Sequence, residues 1–112
     1  MSKFDEVVAK CEEQLEKSGG KATPEQLRAI AKGLGPSLYN ADSFLIAASD
    51  KSEMDRIVTN FIIKKLEITD EAQQQAALDF AVEKIGKSTR NKMRPVFYAL
   101  VAENLGKLGN YS

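Results

Sequence analysis

Residues 50–66 read DKSEMDRIVTNFIIKKL. Asp50-Lys51-Ser52-Glu53 has the form of a capping box, in which an N-terminal acceptor and a glutamate three residues on satisfy each other's backbone amides. Beyond it Met54, Ile57, Val58, Phe61, Ile62 and Leu66 recur at steps of three and four, which is helical spacing. The stretch predicts a helix over 51–66, and Ile63 widens its apolar stripe enough to suggest a central helix.

The same periodicity holds on both sides. Phe4, Val7, Val8, Cys11 and Leu15 share one face of a segment at 3–18, which Gly19-Gly20 stops. Thr23-Pro24-Glu25-Gln26 opens a second helix over 24–33, with Thr as cap, Pro at the first helical position and Gln able to reach back. Thr69 is placed to cap a helix over 70–85, whose first turn carries Asp70 and Glu71 at the positive end of the helix dipole. Ser88 or Asn91 can cap a last helix over 90–105, carrying Met93, Val96, Phe97, Leu100, Val101 and Leu105. Pro95 sits inside that pattern. It costs little if Asn91 is the cap and implies a kink if Ser88 is. Residues 34–50 give no clear period, so an irregular or short-helical connection is expected there. No segment alternates with a period of two. The expected fold is all-α, a compact bundle of about five helices forming a single domain over residues 1–112.

Composition narrows the chemistry. The chain of 112 residues has 16 basic and 16 acidic side chains, so its overall charge favours no charged partner. It contains no histidine and a single cysteine, Cys11, which excludes histidine-based triads and ordinary transition-metal sites. Cys11 lies on the apolar stripe of its helix and reads as a small core side chain. No run approaches the roughly 20 apolar residues of a membrane span. The N-terminal residues do not read as a signal peptide, and the expected setting is a reducing cytoplasm. The carboxylate pairs Glu12–Glu16 and Asp79–Glu83 stand one turn apart on exposed helix faces, and no surrounding pattern builds a cleft that would part their pKa values. Lys21 and Thr23 after Gly19-Gly20 lack the strand and the upstream glycine of a phosphate loop. A helix-turn-helix over Leu27–Asp42 is opposed by the absence of Lys and Arg from residues 36–48.

Two features stand out. Charge is segregated: Glu67, Asp70, Glu71, Asp79 and Glu83 come with no basic residue among them, then Lys84, Lys87, Arg90, Lys92 and Arg94 with no acid. Lys87, Ser88, Arg90, Lys92 and Arg94 are therefore candidates for holding a phosphate or carboxylate at the start of the last helix. The bland alternative is that this basic turn pairs with the acidic helix as surface ion pairs. The second feature is the apolar run Phe44-Leu45-Ile46-Ala47-Ala48, preceded by Tyr39, Asn40 and Asp42. Tyr39, Asn40, Asp42, Phe44, Leu45 and Ile46 form a candidate pocket or interface if exposed, and an element of the core if not.

Three motifs at compatible spacing, GLGPSLYNAD at 33–42, NFIIKKL at 60–66 and STRNKMRPVFYAL at 88–100, resemble the small bacterial proteins grouped as domain of unknown function 2853. The resemblance runs through most of the chain. It implies a bacterial, stand-alone cytoplasmic protein and transfers no catalytic residue.

Taken with the missing catalytic inventory, these features give the expectation of a non-enzymatic interaction or oligomerisation module. It would use no cofactor, and its partner would be a second copy or another protein rather than a membrane. Anion or nucleic-acid binding through the turn at 84–94 is the alternative. An enzyme with a cleft at Tyr39, Asn40 and Asp42 is a third.

Overall fold

The computed structural model describes residues 3–39, 44–89 and 91–111. Its helices are α1 (Lys3–Ser18), α2 (Pro24–Leu34), α3 (Lys51–Ile57), α4 (Glu71–Ile85) and α5 (Arg94–Asn104). A π-helical segment, Val58–Ile63, continues α3, and 3-10 turns occupy Gly35–Tyr39 and Leu108–Tyr111. Among the described residues there is no β-strand, only an isolated antiparallel bridge between Leu45 and Met93. The architecture is an all-α bundle.

Its centre is α5, while the 51–66 run adds Ile57, Phe61, Ile62 and Leu66 to the same core. Every residue from Pro95 to Ala102 is buried, because PVFYALVA is apolar on all sides and must be surrounded. α1, α2, α4 and the π-helical segment pack around it. By contrast Ile63, which widened the stripe of the 51–66 run, remains 39% exposed. That run also winds differently from the single α-helix expected. The Phe61 carbonyl accepts from both Lys65 N–H (2.9 Å) and Leu66 N–H (3.0 Å), one bond of α type and one of π type. Glu67 then takes a left-handed conformation (φ 59°) that ends the helical winding, with Leu66 buried just before it.

Caps explain the other boundaries. Thr23 Oγ1 accepts from Gln26 N–H (3.1 Å) while Thr23 N–H donates to Gln26 Oε1 (2.9 Å), the reciprocal box expected there. Asp50 caps α3 through Ser52 N–H (2.9 Å). Its expected partner in a box, Glu53, turns instead to Arg94. Asp70 rather than Thr69 caps α4, through Ala72 N–H (2.9 Å). Gly86 closes α4 at φ 112°, where a Cβ would also stand 2.9 Å from Thr89 Oγ1.

The last helix begins at Arg94, later than the expected 90, and neither Ser88 nor Asn91 caps it. The cause lies in residues 91–93, which are held outside a helix on two sides. Ile46 N–H donates to the Lys92 carbonyl (2.8 Å) from the connection before α3. From α1, the Gln14 carboxamide donates to the Asn91 carbonyl (2.5 Å) and accepts Met93 N–H (2.9 Å). Gln14 thus satisfies the backbone of residues 91 and 93 as a neighbouring strand would. Pro95 falls in the first turn of α5, where its missing N–H breaks no helical bond.

Replacing Gln14 with Ala removes both bonds and leaves the half-buried Met93 amide without its acceptor. The expected cost is about 1–3 kcal/mol, read from the midpoint of urea unfolding.

Candidate functional site

The fold brings Lys87, Ser88 and Lys92 to one concavity of about 520 Å³, together with Ile46 and Thr89, but not as a set of free charges. Lys87 and Ser88 are exposed, and Arg90 lies outside the described residues. Lys92 is only 5% exposed, and its ammonium points at main-chain carbonyls, 2.5 Å from Thr89 O and 3.4 Å from Lys87 O. The same turn is tied back to α4 by Thr89 Oγ1 on the Ile85 carbonyl (3.0 Å). A lysine stem crossing apolar surface to cap carbonyls is a structural role. Arg94 pairs with Glu53, with both side chains 12% exposed, and also donates to the Tyr98 hydroxyl (3.1 Å). Arg56, 70% exposed, lies 3.9 Å from the other Glu53 oxygen and adds little. The largely buried Glu53–Arg94 pair ties α3 to the start of α5. The anion-binding expectation accordingly rests on Lys87, Ser88 and Arg90.

Residues 39–46 divide in the same way. Tyr39 is 45% exposed, with the Lys3 ammonium 5.4 Å from its ring centre. Asn40 and Asp42 lie outside the described residues. Phe44 and Leu45 are half-buried, and Ile46 is 4% exposed within the main core cluster. The apolar run is therefore occupied chiefly by internal packing.

Cys11 is fully buried. Burial first, and the Glu12 carboxylate second, push its thiol up from 9.0 to about 12. It stays protonated at neutral pH and serves as core, not as a nucleophile.

One concavity among the described residues was not singled out as a site by the sequence. It is a groove of about 780 Å³ between α3 with its π-helical continuation and α4. Met54 and Val58 face it from one side and Leu78 and Val82 from the other, while Ala48 and Ile63 also contribute. Asp55, Glu71 and Asp79 line it as exposed acids, with Lys51 the only base among its lining residues. Gln74 is committed internally, donating to the Ile68 carbonyl (2.8 Å), and Gln75 donates to Asp79 (2.9 Å). Among the described residues no three acidic or thiol side chains come close enough together to hold a metal ion. The groove thus offers an apolar interior and an acidic rim. The acidic run 67–83 carried half of this signal. The other half is the separation of two helices, which no local pattern encodes.

No helix of the described residues is long and apolar enough to cross a membrane. The family model described as "Protein of unknown function (DUF2853)" matches residues 9–109, and the chain belongs to that family. No curated protein matches it.

Two outcomes check these assignments. Lys92→Met uncaps the turn carbonyls and lowers stability by about 1–3 kcal/mol, whereas Lys87→Ala shifts it by less than about 0.5 kcal/mol, both by chemical denaturation. Cys11 does not react with Ellman's reagent in the native protein at neutral pH and reacts fully in urea. Because its folded pKa is raised, its share of stability is complete below pH 9.0 and is lost as pH climbs towards about 12.

Proposed function

We propose that this member of the family is a non-enzymatic interaction module whose groove between α3 and α4 receives a basic amphipathic helix of a partner protein. The observation that carries the reading is the combination, in one groove, of Met54, Val58, Leu78 and Val82 inside with Asp55, Glu71 and Asp79 at the rim. Helix-in-groove recognition needs apolar anchors spaced along one face and flanking charges that set orientation and exclude wrong partners. The volume is ample for two or three aliphatic side chains. A basic partner fits because lysines beside its apolar stripe meet acids on both walls. The setting we infer is a bacterial cytoplasm, supported by the family resemblance and by a lone cysteine held as a buried thiol.

The test is fluorescence anisotropy with two labelled peptides of identical helical pattern, one built of leucine and lysine and one of leucine and glutamate. The lysine peptide is expected to bind saturably and to weaken as salt rises. Asp55→Lys with Asp79→Lys should cut its affinity at least tenfold, and Met54→Glu should do the same through the groove interior. Equal binding of both peptides, or binding indifferent to these substitutions, overturns the proposal. Light scattering provides a separate arm. A dimer that the same substitutions dissociate would make a second copy of the chain the occupant and would displace the partner helix.

A further inference from the structure

Another concavity, of about 410 Å³, lies on a different part of the bundle and has a different chemistry. The last turn of α2, the π-helical segment, α5 and the 3-10 turn Leu108–Tyr111 each contribute to its wall. Three of its features point the same way.

The first is aromatic. The Phe61 ring stacks on Tyr98 with centroids 4.3 Å apart and planes 24° apart, and Tyr111 lies 6.4 Å from Phe61 at 25°. Near-parallel rings from three elements line the pocket as an aromatic stack, in which Phe61 and Tyr98 are buried and Tyr111 is half-buried. The second is Gly33. It sits inside α2, where glycine weakens a helix relative to alanine, and its φ is not positive. A Cβ built there would meet nothing within 4 Å. Neither backbone conformation nor internal packing calls for glycine at this place, yet the residue lines the pocket. The third is the π-helical winding of Val58–Ile63, which carries Asn60 and Phe61 of the wall. Such winding is rare and is frequently found at functional sites.

The polar groups set the ligand's charge. Lys65 and Asn60 are exposed residues of the wall, offering an ammonium and a carboxamide. Burial, and then the neighbouring Tyr98, push the Tyr111 hydroxyl up, so it remains a neutral donor. No carboxylate lines the pocket. We infer that this pocket binds a flat aromatic carboxylate, its ring extending the Phe61–Tyr98–Tyr111 stack beside Tyr111 and over Gly33, and its acid group towards Lys65.

The inference is independent of the groove between α3 and α4, and the experiment keeps them apart. The uniformly ¹⁵N-labelled protein is titrated with 1-naphthoate, with 1-naphthalenemethanol as the uncharged ring and cyclohexanecarboxylate as the unflattened acid. Saturable shifts are expected from naphthoate at the amides of Gly33, Asn60, Phe61, Lys65 and Tyr111. Both controls should bind at least tenfold more weakly. Lys65→Glu should weaken naphthoate at least tenfold, and Gly33→Leu should abolish binding while the thermal midpoint stays at or above that of the unsubstituted protein. Asp55→Lys with Asp79→Lys should leave naphthoate binding unchanged. Absence of saturation at millimolar naphthoate, shifts mapping elsewhere, equal binding of either control, or a Gly33→Leu protein that still binds would each overturn the assignment.

Discussion

A helix apolar on every side has no surface to give to water, and α5 imposes that constraint on the whole chain. Pro95 to Ala102 must be enclosed, so the surrounding helices are arranged as a coat. Enclosure creates a problem at the entrance, because residues 91–93 approach the interior before helical bonds can serve their backbone. The solution is a pair of tethers from distant parts of the chain, the Ile46 amide on one side and the Gln14 carboxamide on the other. The Glu53–Arg94 pair adds a third at the first residue of α5. Removing one member of such a largely buried pair strands the other, which makes α3 and α5 interdependent.

These demands explain why the charged residues do what they do. The basic run 84–94 looks uniform in sequence, but each side chain inherits its role from its distance to the core. Lys92, closest in, caps carbonyls; Arg94 meets an acid; Lys87 faces solvent. The acids of 67–83 all stay on the surface, where Asp70 caps α4 and Glu71 and Asp79 line a groove. Charge left unpaired by the fold is charge that remains for a partner.

What was legible in the sequence was the local part of this. The Thr23–Gln26 box, the stop at Gly19-Gly20 and the bounds of α1 follow from residues within one turn of each other. The errors arose where a distant residue competed for the same group. Glu53 satisfies the spacing of a capping box, but a buried arginine outbids a backbone amide for its carboxylate. Ser88 and Asn91 have cap chemistry, yet pairing with Ile46 and Gln14 holds the chain out of the helix until Arg94. The π-helical winding is silent because Met54, Ile57, Val58, Phe61 and Ile62 keep the same apolar order under either winding. Neither pocket was legible, since each depends on where separate elements stop touching.

The Gln14 tethers have a consequence for the order in which the molecule assembles. They span 77 and 79 residues of chain, and the Leu45–Met93 bridge spans another long loop. Helical bundles ordinarily fold fast because their contacts are local, but here the seat of the central helix is defined by contacts that close late in the chain and at high entropic cost. The protein is helical by content, yet the contacts that seat its central helix at residues 91–93 close long loops of chain.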